Sequence, residues 1–133
     1  MKVVHVPFTY FPDAVGGTEV YVADLVRGLR ARGVDSIIAA PADEAGLGRY
    51  EHEGARVYRF GVGPSSGVAD LYGEGDEGAA RAIEAIVEDV GADVLHLHAF
   101  ARAASRRAVR LARREGAAVV VTYHTPTASC VRG

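Results

Sequence analysis

Three histidines carry the clearest chemical signal in this chain. His96 and His98 stand two apart in the run Val94-Leu95-His96-Leu97-His98. If that run is a strand, its period of two sends both side chains to one sheet face. His98 then lies at the strand end, and His124 follows a second apolar run, 119–123, at an equivalent height. A neutral imidazole holds one N–H and one free nitrogen lone pair, so each can donate to a substrate hydroxyl or carbonyl. A zinc site is the competing use of His96, His98 and His124. No carboxylate or cysteine at a suitable spacing completes a tetrahedral set, so no metal is expected. His5 sits in mid-strand and reads as a satisfied core histidine.

Gly16-Gly17 comes directly before a helical pattern. Without Cβ atoms an anion can reach the free amides of a helix N-terminus, where the helix dipole also favours it. A diphosphate is the functional reading; a tight turn into the helix recruits the same glycines. Asp13 could accept a substrate proton, or serve as a turn residue after Pro12. Glu19 suits the positive end of a helix. Phe8, Tyr10 and Phe11 either offer a platform for a ligand ring or anchor their own loop. The stretch Gly61-Val62-Gly63-Pro64-Ser65-Ser66-Gly67 resembles a dinucleotide fingerprint, but it follows the third strand, contains a proline and opens no strong helix. That context excludes it.

The elements that must position these groups alternate strand and helix. Strands are expected at 3–6, 34–40, 56–60, 94–98 and 119–123. Residues 41–55 look irregular, and 61–75 looks like a loop rich in Gly, Ser and Pro. Val22, Leu25, Val26 and Leu29 give one helix an apolar stripe, with Thr18 as its N-cap and Gly33 as its stop. Ala79, Ile83, Ile86, Val87 and Val90 mark a second helix. Ala101, Ala104, Ala108, Leu111 and Ala112 mark a third. This predicts one α/β domain over 1–133, a Rossmann-like, doubly wound, mostly parallel sheet of order 3-2-1-4-5 with helices on both faces. Ligands bind such sheets at the carboxyl ends of the strands, where the order reverses. The loop 7–17, the segment 98–100 and the segment 124–127 should converge there. The second helix region is acidic and the third is basic, so neighbouring faces should form ion pairs; an anionic lipid surface is the alternative use of the arginines.

The bulk properties narrow the function. The 133 residues are 49% apolar and carry a formal net charge of -2, which does not point to a nucleic acid. Cys130 is the single cysteine, so no intrachain disulfide forms and a reducing compartment fits. Met1-Lys2 enters a short strand without a long apolar segment, and no run approaches the roughly 20 residues of a membrane span. A cytoplasmic protein is expected, possible contact with the inner face of the membrane included.

Taken in order, several segments carry a family resemblance. They are the run from Val3 to Pro12 leading into Gly16-Gly17-Thr18-Glu19, the helix end Leu29-Arg30-Ala31-Arg32-Gly33, the segment Ala92-Asp93-Val94-Leu95-His96-Leu97-His98, and Val119-Val120-Val121-Thr122-Tyr123-His124-Thr125-Pro126. Together they resemble the N-terminal domain of retaining glycosyltransferases of the GT-B fold. That group includes phosphatidylinositol mannosyltransferases, the glycosyltransferases of mycothiol and bacillithiol synthesis, and sucrose synthases. The resemblance implies a nucleotide-diphosphate sugar as donor and a small molecule, lipid or glycan as acceptor. It implies that Gly16 and Gly17 approach the donor diphosphate and that His124 contacts the transferred sugar as the catalytic residue. Tyr10, Asp13, His98 and Thr125 would meet the acceptor or the sugar. No cofactor is implied.

The same resemblance predicts a fragment. The partner C-terminal domain, which would hold most of the nucleotide sugar, is expected to be missing, together with late strands of this domain. The chain alone is then expected to be inactive and to self-associate through its open sheet edge. Two other readings stay open: a nonenzymatic interaction or regulatory module on the same fold, and a nucleotide-dependent epimerase or dehydrogenase, which lacks its fingerprint after strand 1.

Overall fold

The computed structural model describes residues 1–13, 16–43, 47–64 and 73–124. Its strands are β1 (Lys2–Val6), β2 (Asp35–Ala42), β3 (Gly48–His52), β4 (Ala55–Gly61), β5 (Val94–Leu97) and β6 (Ala118–Val121). Its helices are α1 (Gly17–Arg30), α2 (Glu77–Val90) and α3 (Arg106–Arg114). The sheet order is β3-β4-β2-β1-β5-β6. All neighbours pair in parallel except β3 with β4. The five expected strands therefore lie in the expected order, 3-2-1-4-5.

β3 is an addition. Residues 48–52, expected to be irregular, form an antiparallel hairpin with β4. Its two-residue turn is Glu53-Gly54, with φ of 48° and 77°. Positive φ at both turn residues is the type I′ geometry that matches strand twist. The sequence signal was weak because glutamate is an unusual first residue for such a turn.

Central strands are buried on both faces, which explains their continuous apolar runs. On one face Val4, Val6, Ile37, Ala39, Leu95 and Leu97 pack under α2 and α3. On the other, Ile38, Ala40 and Val57 pack with Val22 and Val26 of α1. His5, two residues from the buried Val3, belongs to this α1 face.

Two helix starts differ from expectation. Gly16, not Thr18, is the N-cap of α1. The reason is Glu19, whose Oε2 accepts from the Gly16 amide at 2.9 Å and fixes the first turn one residue pair earlier. Helix α3 starts at Arg106, after Ser105, whose hydroxyl accepts from the Ala108 amide at 3.4 Å. Residues 101–105, expected to be helical, instead pack against the entry to α2: the Arg102 carbonyl accepts from the Asp76 amide at 2.9 Å. This approach is close enough to demand glycine at 75. Its φ is +72°, and a Cβ there would meet the Arg102 carbonyl, Ser105 Cβ and, at 2.6 Å, Ser105 Oγ.

The acidic and basic helices do lie side by side. Glu74 pairs with Arg106 and Arg110, and Glu77 pairs with Arg107 at 3.1 Å. Each such exposed pair contributes little, but together they offset part of the charge of the arginine-rich face from within the domain. No described helix is long and apolar enough to cross a membrane.

Candidate functional site

The order of the sheet reverses between β1 and β5, and the carboxyl ends of β1, β5 and β6 meet at one edge. There the chain continues as an extended ladder: the His98 amide donates to the Val6 carbonyl and the Thr122 amide to the Leu97 carbonyl, each at 2.9 Å. These bonds carry His98 and His124 onto the rim of the sheet.

Four of the five histidines gather on the α1 face of this edge. His5 and His96 are direct register partners across β1 and β5, so their side chains lie next to each other on that face. The ring of His96 lies 3.9 Å from that of His98, centroid to centroid. His5 Nδ1 and His98 Nε2 are 3.1 Å apart, and His98 Nδ1 and His124 Nε2 are 3.4 Å apart. His96 Nε2 meets Thr122 Oγ1 at 2.7 Å. Tyr21 closes the group from above, its ring 4.8 Å from His124 and 6.1 Å from His98. Since Tyr21 lies one helical turn beyond Gly17, the start of α1 is held beside this edge.

Three of these imidazoles are held neutral. Burial pushes the His5 imidazole down to about 3, with the neighbouring His96 adding to the effect. Burial likewise pushes His98 down to about 2, helped by His96, His5 and His124. His96 is lowered in the same sense, by burial first and His124 second. Taking a charged imidazole out of water is unfavourable, and crowding it with others makes it worse. Uncharged imidazoles are donors and acceptors of hydrogen bonds, suited to polar uncharged groups.

His5 differs from its sequence reading. It is fully buried, as expected, but it is not satisfied: Nε2 has no hydrogen-bond partner among the described residues. It also changes the metal question. The set with converging nitrogens is His5, His96 and His98, one atom of each within 4.8 Å of the others, in place of the His96, His98 and His124 set weighed from sequence. Three neutral imidazoles are a known zinc ligand set. Here, however, His5 Nδ1 and His98 Nε2 already face each other, and His96 Nε2 faces Thr122.

At the start of α1 the two glycines separate in role. The Gly16 amide is engaged by the Glu19 carboxylate. Gly17 is open: a Cβ built there meets nothing within 4 Å. Its amide belongs to the first turn of the helix, where donors lack intrahelical partners.

The loop after β1 departs from the acceptor-side expectation. Tyr10 is 1% exposed, and its ring packs edge-on against Phe11 and His52. A ring so enclosed anchors its loop, the second of the two uses weighed for these aromatics. Phe8, at 62% exposed, is the aromatic that faces outward. Asp13 forms an ion pair with Arg59, whose side chain is 2% exposed. Arg59 also donates to the carbonyls of Tyr10 at 3.1 Å and Phe11 at 3.4 Å. Asp13 thus balances a buried guanidinium that clamps the loop, and the same pairing opposes a role as base. Arg59 was missed because a lone arginine in an alternating strand carries no sign that it faces inward.

A separate cavity of about 210 Å³ opens at the carboxyl edge on the α2/α3 side, lined by Pro7, Phe8, Pro41, Val62, Ala99 and Arg102 among others. The false dinucleotide motif borders it. Gly63 there donates to Asp76 at 3.1 Å and accepts from Arg102 at 2.6 Å, so the described part is held by side chains. Residues 65–67 of that motif, and Thr125, lie outside the described residues.

Comparison with known proteins bears on the family and the fold. The family model of the glycosyl transferase 4-like domain matches residues 16–133. Among solved structures, the chain is similar to the catalytic domain of starch synthase IV from Arabidopsis thaliana, which was solved bound to ADP and acarbose. That match has a TM-score of 0.58 and 18% identity, and covers 92% of this chain and 34% of the other. The chain thus spans about a third of the structure it matches. No curated protein sequence matches it significantly. The family match extends from the first turn of α1 through β6, and the chain belongs to the glycosyl transferase 4-like domain family.

Proposed function

We propose that this domain forms one wall of a retaining glycosyltransferase site, transferring a sugar from a nucleoside diphosphate sugar to an acceptor hydroxyl. The observation that carries the reading is the placement of His124 at the carboxyl edge of the sheet beside the reversal, its Nε2 3.4 Å from His98 Nδ1 and its ring 4.8 Å from that of Tyr21, one turn beyond the start of α1. A donor whose diphosphate approaches Gly17 has its sugar within reach of His124. The helix start, whose first amides have no intrahelical partners, favours the negative charge that builds on the departing diphosphate. His124 donates to a sugar oxygen and holds the ring in place. The acceptor approaches from the Phe8 side, where the apolar cavity accommodates a nonpolar part of it.

In this reading no side chain attacks the sugar. The bond from the anomeric carbon to the diphosphate oxygen breaks, the acceptor oxygen attacks from the same face, and the diphosphate oxygen takes the acceptor proton. The lowered values of His5, His96 and His98 are consistent with hydrogen bonding in place of proton transfer by these three. A second domain supplies most of the nucleotide contacts, and positioning both substrates together supplies much of the rate.

Product stereochemistry tests the reading. A protein carrying this domain together with a nucleotide-sugar-binding domain should form a glycoside with the anomeric configuration of its donor, as read by proton NMR of the product. An inverted product would contradict the mechanism, and no transfer from any common nucleoside diphosphate sugar would contradict the activity.

A further inference from the structure

We propose that His5 and His98 are positioning residues that fix the proton of His124 on Nδ1, by a three-imidazole relay anchored in the core. The inference rests on the reading of His124 as the sugar-facing donor. The geometry is that of a wire. In both linked pairs the ring planes are nearly parallel, 26° and 27° apart. The centroids are 5.4 and 5.7 Å apart, while the bonded nitrogens are 3.1 and 3.4 Å apart. In each pair the centroids exceed the nitrogens by about two ring radii, so the nitrogens lie between the rings and the rings meet edge to edge.

Each neutral imidazole has one proton, and a linear chain of them can be oriented in only two ways. The buried end decides between them. His5 Nε2 is enclosed and has no partner among the described residues. If the proton sat there, the core would hold an orphan N–H, whereas an orphan lone pair is the more tolerated defect. His5 therefore carries its proton on Nδ1 and donates to His98 Nε2. His98, its Nε2 now accepting, carries its proton on Nδ1 and donates to His124 Nε2. His124 is left with one N–H, on Nδ1, which the relay does not use. Burial keeps His5 and His98 uncharged across the physiological range, so the orientation does not reverse by protonation. His96 stands outside the wire, bonded to Thr122, with its ring against that of His98.

The chain labelled with nitrogen-15, treated with a chelator and held at pH 7.5, tests this by two-bond proton–nitrogen correlation spectra of the imidazoles. The relay predicts the Nδ1–H form for His5, His98 and His124 alike. Finding His98 or His124 in the Nε2–H form overturns it. Two variants separate relay from packing. In His5→Asn the side-chain amide stands near the position of Nδ1 and can still donate, so His124 should stay in the Nδ1–H form. In His5→Phe, which fills the space without donating, His124 should become a mixture containing the Nε2–H form that free imidazoles favour in water. Unchanged tautomers in a folded His5→Phe chain would overturn the relay; if that variant does not fold, the wild-type spectrum decides. One equivalent of Zn²⁺ is the last arm. Unchanged imidazole signals are expected, and stoichiometric displacement of the His5, His96 and His98 signals would replace the relay with a metal site. These spectra do not depend on activity. A failed relay leaves the sugar-contact role of His124 standing, and loss of that role leaves the tautomers as they are.

Discussion

Between pH 7 and pH 5 the folded chain is expected to lose about 4 kcal/mol of stability through His5 and His98 alone. In the unfolded chain both imidazoles titrate near 6.5, the ordinary value. In the fold burial holds them at about 3 and about 2. Below about pH 6.5 the unfolded state therefore binds more protons than the native state, and stability falls with pH. Each histidine contributes about 1.4 kcal/mol per pH unit once pH is well below its unfolded value, until the folded value is reached. Among the described residues the groups facing them are His96, His124 and Tyr21, with Thr122 behind, and none of these is a carboxylate that would rescue a charged imidazole. His96, lowered in the same direction, adds to the loss. Ordinary carboxylates titrate lower, so the window from pH 6.5 to pH 5 isolates the histidines. Urea unfolding at a series of pH values checks this. The His5→Phe chain should show a shallower slope, by about the share of one group. A flat stability between pH 7 and pH 5 would mean that the cluster is not enclosed as described.

Replacing His124 by alanine is expected to lower turnover by about 100-fold in a protein that pairs this domain with a donor-binding partner, by comparison with the loss of one oriented donor at a developing charge. His124 is half-buried at the rim, while His5 is fully buried. Its removal opens no core cavity, so the melting temperature should change by only a few degrees. If its hydrogen bond strengthens as the sugar–diphosphate bond breaks, the loss falls on kcat, with KM little changed. A packing role would give the reverse pattern: a lowered melting temperature and near-normal turnover in the molecules that remain folded. Steady-state kinetics and thermal unfolding of His124→Ala separate the two, and unchanged turnover removes His124 from the site.

The parts of the fold that were legible in the sequence are those where burial is two-sided or strictly periodic. Val4, Val6, Leu95 and Leu97 lie in continuous apolar runs because both faces of the central strands are covered. Ile83, Ile86, Val87 and Val90 keep helical spacing because one stripe of α2 faces the sheet. β3 was not legible. It is an edge strand with only Tyr50 and His52 half-buried, so its five residues carry little apolar signal. The start of α3 was misread because Ala101 and Ala104 continue the helical spacing of Ala108 and Leu111, although Ser105 supplies the cap that interrupts them.

At the site, alternation along β5 brought His96 and His98 to one face, and topology brought His124 beside them. Two things needed coordinates. One was the register of β1 against β5, which sets His5 beside His96 and turns a pair of histidines into a wire. The other was the rotation of α1, which points Tyr21, outside its apolar stripe, at the rim. The loop at 10–13 was the least legible part: in an aromatic, Gly-rich loop the sequence leaves ligand contact and loop anchoring open for Tyr10 and Asp13, while Tyr10 packs into the core and Asp13 pairs with Arg59, a partner 46 residues away.

The central claim is that the sugar of a nucleoside diphosphate donor lies against the histidine-bearing carboxyl edge of this domain. A crystal structure of the domain joined to its donor-binding partner, with an intact or slowly reacting donor bound, measures it most directly. A diphosphate oxygen within hydrogen-bonding distance of the Gly17 amide, and a sugar oxygen within hydrogen-bonding distance of His124 Nδ1, is the predicted result. A donor sugar lying away from His124, with the start of α1 untouched by phosphate, would contradict the account.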